Sequence, residues 1–180
     1  MYPLHFSTCI LAAAGDTGDL GIGCGIGDGH GPLAVPIPVE KRRGYMFTVD
    51  TGTGGAGPGL NTPLTTDTCG LYLRREGHAG QFSVGLYPDN NDIPVNIHGD
   101  VHPDYWEQEV RPKLVDRFDG FDKAVLVGSQ PIDFDVNYFD GSPIVGPHPY
   151  IGNMYMACGF GGLGASLAPA VGNNSELIIN

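Results

Sequence analysis

The stretch Met154-Tyr-Met-Ala-Cys-Gly-Phe-Gly-Gly-Leu-Gly-Ala-Ser-Leu-Ala-Pro-Ala-Val-Gly172 leaves a chain few ways to fold. An apolar run of strand length meets a glycine cluster, and the cluster opens a run of small residues that reads as a helix. That order points bare backbone N–H groups, at the positive end of a helix dipole, toward whatever lies in front of them. Gly159, Gly161 and Gly164 satisfy G-x-G-x-x-G with a strand before and a helix after. A dinucleotide site also needs a further strand and an acidic ribose ligand well downstream. Only 16 residues follow Gly164, so the turn reads as one that closes a fold. Two readings stand side by side. In one, the N–H groups of Gly161 to Ala165 donate to an oxygen of a bound ring or phosphate. In the other, a tight strand-to-helix turn simply needs small residues.

The rest of the chain is punctuated by turns. Its 29 glycines and 15 prolines in 180 residues predict short strands and little helix. Thr8–Ala14 reads as a buried strand, and a start this close to a strand predicts a preceding part. A glycine-rich loop is expected over Gly18–Gly31. Leu33–Glu40, broken by Pro36 and Pro38, is expected as an edge or irregular strand, Lys41–Gly44 as a basic turn, and Gly44–Asp50 as a strand. Thr51–Gly59 reads as a loop. Gly70–Glu76 and Gln81–Tyr87 flank Gly77-His-Ala-Gly80 and predict a hairpin. Trp106, Val110, Leu114 and Phe118 repeat at i, i+4, so Pro103–Phe118 is expected as a helix kinked at Pro112. Strands are expected over Lys123–Ser129, Phe134–Phe139 and Asn153–Cys158, with Asp140–Pro147 as a double turn and a helix from Ala165 to about Leu177. The sum is an α+β chain with mostly antiparallel strands. It reads as one domain whose two ends lie together beside a middle sheet.

Several functions are excluded by composition. A net charge of −11 and only nine Lys and Arg argue against nucleic acid and anionic membranes. No segment is long and apolar enough to span a membrane. Cys9, Cys24, Cys69 and Cys158 are far apart and lack C-x-x-C, so neither zinc nor a disulfide framework is indicated, and reduced thiols in an intracellular compartment are expected. His30, His78, His98, His102 and His148 show no metal-ligand spacing and are expected to be exposed. Ser129, Ser142 and Ser166 lack a nucleophile-elbow context. Gly52-Thr-Gly-Gly-Ala-Gly57 also matches G-x-G-x-x-G, but Pro58 and Pro63 leave no helix to follow it. Arg74 and Arg75 leave their strand on opposite faces. The inward one either binds a carboxylate or makes a structural ion pair.

Taken together, Asp140-Gly-Ser-Pro-Ile-Val-Gly-Pro147, Asn153-Met-Tyr-Met-Ala-Cys-Gly-Phe160, Leu167-Ala-Pro-Ala-Val-Gly172 and Glu176-Leu-Ile-Ile179 resemble the C-terminal end of the D-amino-acid-oxidase-like FAD-dependent oxidoreductases. Ile10-Leu-Ala-Ala-Ala-Gly15 is similar to that family's strand beside the flavin. Pro36–Tyr45, Pro58–Pro63 and Leu71–Gly77 most resemble its mitochondrial branch, the one tied to respiratory complex I assembly. The likeness begins near Phe6 and covers only the C-terminal part of the family's fold. It implies a remnant of the FAD-binding domain over residues 1–31, a substrate-domain sheet and helix over 32–139, and a flavin-facing strand, turn and helix over 140–180, with the N-terminal βαβ unit absent.

In such a fold, Ala14, Gly15, Gly161, Gly162, Leu163 and Gly164 would contact FAD. Arg75 would hold a substrate carboxylate while a carbon bearing an amine or hydroxyl gives hydride to the flavin. The sequence departs from the family in places. The usual Ser-Gly-His-Gly turn reads Gly161-Gly-Leu-Gly164, the aromatic stretch before Asp140 reads Gln130–Asn137, and Asn173-Asn174 weaken the last helix. These departures imply a fragment or a copy that has lost catalysis. The 180 residues alone are expected to bind FAD weakly and to be inactive. The partners implied are a chain carrying the N-terminal half and subunits of respiratory complex I. A non-catalytic assembly role is the alternative reading, and a mitochondrial location follows from the resemblance alone.

Overall fold

A computed structural model of the protein describes residues 5–52, 57–59, 61–77, 80–87 and 104–179. The chain divides into two compact units, one formed by Met1–Arg42 with Asp133–Asn180 and the other by Arg43–Ile132.

The first unit is built on a three-stranded sheet of order β1-β8-β7. Here β1 is Cys9–Leu11, β7 is Ile144–Pro147 and β8 is Met154–Cys158. The sheet joins the two ends of the chain. β1 runs parallel to β8, with Cys9 opposite Met154 and Leu11 opposite Met156. β7 runs antiparallel to β8, with Ile144 opposite Cys158. The predicted turn at Gly146–Pro147 is instead the end of β7. Gly146 takes φ +144°, which residues with a side chain rarely adopt, and an edge position has no need of the proline's missing donor.

Where a loop is expected over Gly18–Gly31, a helix, α1, spans Thr17–Gly23. Its propensity is poor, and packing overrides it. A Cβ on Gly18 would lie 2.5 Å from the Val39 carbonyl oxygen, and one on Gly21 would lie 3.1 Å from Ile37 Cδ1. The two glycines, three apart, let the helix backbone settle onto residues 37–39. Ile26, Ile37, Val39, Met154 and Cys158 form the buried cluster there.

The second sheet has the order β3-β4-β5-β2-β6. The strands β3 (Thr65–Thr66), β4 (Leu71–Arg75) and β5 (Gln81–Leu86) form antiparallel pairs as the hairpin signal predicts, with Leu73 opposite Val84. His78 and Ala79 of that turn lie outside the described residues. Two expectations change. Instead of an edge strand, a basic turn and a second strand, β2 runs unbroken over Val39–Asp50. Pro36 and Pro38 delay its start. The basic run stays extended because its charges find partners, with Lys41 Nζ 2.6 Å from Asp16 and Arg42 2.6 Å from Glu40. Likewise the two pieces expected at Lys123–Ser129 and Phe134–Phe139 are one strand, β6 (Val125–Asn137). Pro131 is tolerated within it because β6 is an edge.

One face of this sheet carries Phe47, Val49, Leu71, Leu73, Phe82, Val84 and Leu86 into the main core. The helical stripe Trp106, Val110 and Leu114 packs on it, and Phe121 joins them. Burying each such side chain contributes about 1.5–3 kcal/mol. The mid-chain helix is not uniform. A π-helical turn spans Trp106–Val110, closed by Arg111 N–H donating to the Trp106 carbonyl, and α2 follows over Arg111–Arg117. Pro112 explains the widening: it has no N–H, and its ring presses on the turn before it. Pro103, the expected start, lies outside the described residues. The last helix, α3, spans Gly164–Ile179 and continues through Asn173-Asn174. Among the described residues no helix is long and apolar enough to cross a membrane.

Candidate functional site

The glycine turn is held from behind by one residue. Asp135, on β6, is buried. Its Oδ2 accepts the Gly159 N–H at 2.8 Å and the Phe160 N–H at 3.1 Å, and its carbonyl accepts the Gly161 N–H at 2.7 Å. Gly159 (φ +75°), Gly161 (φ +59°) and Gly162 (φ +92°) adopt backbone conformations that side chains resist. Leu163 N–H donates to the Phe160 carbonyl at 3.0 Å. The Gly161 and Leu163 donors are thus already used within the chain. Gly162, Gly164 and Ala165 keep N–H groups with no acceptor among the described residues. The last two open a 16-residue helix, where the dipole is positive. A Cβ at Gly161 would meet nothing within 4 Å, so the space beside the turn is open.

Ala14 and Gly15 follow β1, and the glycine turn follows β8. Because the two strands are parallel neighbours, both sets leave the same end of the sheet. Carboxyl ends of parallel strands are where α/β folds bind ligands. Ala14 sits at φ +49°, the sole non-glycine positive φ among the described residues. A Cβ on Gly15 would lie 2.9 Å from the Lys41 side chain. Asp16 hydrogen-bonds the Lys41 ammonium and raises it above the ordinary lysine range.

The two arginines part company. Arg75 shares a face with Leu71 and Leu73, and its guanidinium lies over the Phe82 ring, 5.3 Å from the centroid. Arg74 leaves the opposite, open face. There it lines a cavity of about 420 Å³ with Met46, Thr48, Glu76, Ser83 and Ser129. Arg74 pairs with Glu76 at 2.8 Å, and Ser83 Oγ donates to Glu76 Oε2 at 2.6 Å. The cavity therefore holds a guanidinium, a carboxylate and hydroxyls within one polar patch. Beside it, Tyr72 lies across Gly85, where a Cβ would overlap the phenol. Burial, with Tyr87 adding, raises Tyr72 to about 12, so it stays protonated.

His148 is buried, not exposed as expected. Its Nδ1 accepts the Tyr150 N–H at 3.2 Å, which assigns the proton of the neutral ring to Nε2. It lines an apolar cavity of about 240 Å³ with Pro36, Pro38, Ile144 and Met156. Sequence reasoning passed over Asp135, named Arg74 only as the residue on the face opposite Arg75, and expected His148 to be exposed. Counting by twos from Leu71 passes through Leu73 to Arg75 and so leaves Arg74 on the other face. Asp135 and Asn137, alternating with apolar Phe134 and Val136, are polar residues on one face of a strand. His148 leaves no such trace.

Comparison with known proteins agrees with this architecture. The chain is 39% identical over 116 residues to FAD-dependent oxidoreductase domain-containing protein 1 of Mus musculus, an alignment covering 64% of this chain and 24% of that protein. It thus spans about a quarter of that relative's length. Iminodiacetate oxidase from Chelativorans sp. BNC1 has a similar fold, with a TM-score of 0.71 at 16% identity, over 96% of this chain and 42% of that one. So does glycine oxidase from Geobacillus kaustophilus, with a TM-score of 0.67 at 16% identity, over 96% and 40%. Residues 6–174 match the FAD dependent oxidoreductase (DAO) family, and the chain belongs to it.

Proposed function

We propose that this chain supplies the flavin-ring end and a substrate-binding cavity of an oxidoreductase acting on an amine or hydroxy acid. The observation that carries the reading is the set of unclaimed amides at Gly162, Gly164 and Ala165, in a turn whose Gly161 has open space beside it. These fit the electron-rich end of an FAD ring, where three donors and a helix dipole meet negative charge. The adenine and pyrophosphate end finds no match, because among the described residues no glycine fingerprint stands at the head of a βαβ unit. A partner chain or segment carrying that unit completes the site.

When bound, FAD supplies the acceptor for a hydride from the substrate carbon. The chain's own residues do the rest. The three amides stabilise the charge that develops at the ring, without reorganising. In the second unit, Arg74 exchanges its Glu76 partner for a substrate carboxylate, and Ser83 keeps Glu76 oriented. Arg74 takes this role rather than Arg75, whose guanidinium lies on the core-facing side over Phe82. A mitochondrial location and association with complex I subunits belong to the same reading, supported by the likeness to that branch; fractionation and co-purification test them.

The test removes one donor at a time. Proline is welcome at the first position of a helix, so Gly164→Pro deletes one N–H and leaves α3 intact. FAD titration, followed by flavin fluorescence with the dinucleotide-binding segment present, is expected to weaken by about 10-fold, the worth of one charge-assisted hydrogen bond. Unchanged affinity at unchanged helicity removes the amides from the flavin site.

A further inference from the structure

Two polar side chains near the end of β6 are buried: Asp135 and Asn137, 9% and 6% exposed. They lie two residues apart and so share a face. Asn137 Nδ2 donates to Asp140 Oδ1 and to the Ser142 carbonyl, both at 2.8 Å, and its Oδ1 accepts the Phe139 N–H at 3.0 Å. Asp140 Oδ1 also accepts the Ser142 N–H at 2.9 Å. This locks the Asp140–Gly141 turn that stands out in the sequence. The same Asn137 packs on the glycine turn: a Cβ at Gly159 would lie 3.1 Å from Asn137 Cβ. Gly159 is also the glycine whose amide Asp135 holds. Between the two residues, Val136 bridges to Phe160.

We infer that Asp135 is the positioning residue for the amides of Gly162, Gly164 and Ala165, with Asn137 as its brace. Three consecutive donors, Gly159, Phe160 and Gly161, converge on Asp135 alone. They fix the path of the chain where three glycines leave it free, and so decide which N–H groups remain for a ligand and where they point. Two N–H groups meeting one buried oxygen call for an acceptor with two lone pairs to give, which a carboxylate or carboxamide oxygen offers. The consequence for ligand binding rests on the flavin reading given above. The positioning itself does not.

The experiment separates the two. In the intact chain, Asp135→Ala is expected to lower the hydrogen-exchange protection of Gly159 and Phe160 at least 10-fold more than that of the core amides Phe82 and Val84. FAD affinity falls at least 10-fold, and Asp135→Asn, which keeps an acceptor oxygen, restores it to within about 3-fold. Should Asp135→Ala not fold, Asp135→Asn still decides: loss of the charged acceptor moves the Gly159 and Phe160 amide protons upfield while Val84 stays put. Protection or shifts that track the core overturn the inference. Lost protection with wild-type FAD affinity reduces Asp135 to a structural residue and overturns its ligand role. With the dinucleotide-binding segment present, a wild-type chain that never saturates with FAD sinks the flavin reading, while the exchange data still judge Asp135.

Discussion

Arg74 and Arg75 are neighbours in sequence whose side chains leave opposite faces of β4. One meets a carboxylate in a polar cavity and the other a phenyl ring. Arg74→Gln is therefore expected to raise the KM for an acidic substrate about 10-fold or more in the loaded enzyme, because a charge-assisted pair is worth about 1.5–3 kcal/mol. Arg75→Gln leaves KM unchanged and lowers stability slightly; the reverse pattern would restore Arg75 as the carboxylate ligand. Gly85 is fixed by its neighbour, since any Cβ overlaps Tyr72. Gly85→Ala should cost about 1–3 kcal/mol by overpacking, read by urea unfolding. Cys158 makes a pH prediction. Burial, with the charge of Asp135 adding and the Thr17 hydroxyl opposing, pushes its thiol up to about 11. An unfolded thiol ionises near 8.5, so between about pH 8.5 and 11 the unfolded chain releases a proton that the native chain keeps. Stability falls as pH rises through that window. Cys158→Ala should flatten the decline; an equal slope in both proteins would show that other groups cause it.

Among the elements, those with local signals were legible. The β4–β5 hairpin, β8, the Trp106–Val110–Leu114 stripe and α3 rest on alternation, periodicity and a glycine stop. α1 was not, because its reasons to be a helix lie outside it: Gly18 and Gly21 are chosen by the backbone and side chains of residues 37–39. β2 was hidden because its charged run stays extended only through partners at Asp16 and Glu40. The glycine turn was read in outline, yet its anchor was not. Nothing in the order of residues says that a carboxylate at 135 meets amides 24 and 25 positions on. The account of α1 predicts a contrast between two glycines. Gly23 has open space, so Gly23→Ala should stabilise by about 0.5–1 kcal/mol through helix propensity. Gly18→Ala gains the same propensity but meets the Val39 carbonyl, and should lose about 1–3 kcal/mol net. Thermal unfolding of both decides; two stabilised variants would mean that α1 does not rest on residues 37–39.

At the scale of the molecule, two cores and two sheets share 180 residues, and apolar side chains are left at the surface. Ile10 of β1 is 53% exposed, on a strand paired along one edge among the described residues. Unpaired apolar edges invite association. Ile10→Lys should lower light scattering of concentrated protein at neutral pH while shifting stability by no more than about 0.5 kcal/mol; scattering that does not fall would locate association elsewhere. The family was legible because its signature sits in the tail and the strand before Gly15, which β1 and β8 bring side by side. The residue proposed to hold the carboxylate was not, since the proposal between Arg74 and Arg75 turns on the side of the sheet on which the leucines are buried. That same alternation carries a consequence for descent. Insert or delete a single codon between Leu71 and Arg74, and guanidinium and leucine trade places across the ribbon, drowning the one and stranding the other. Length inside this short strand can therefore change only in pairs.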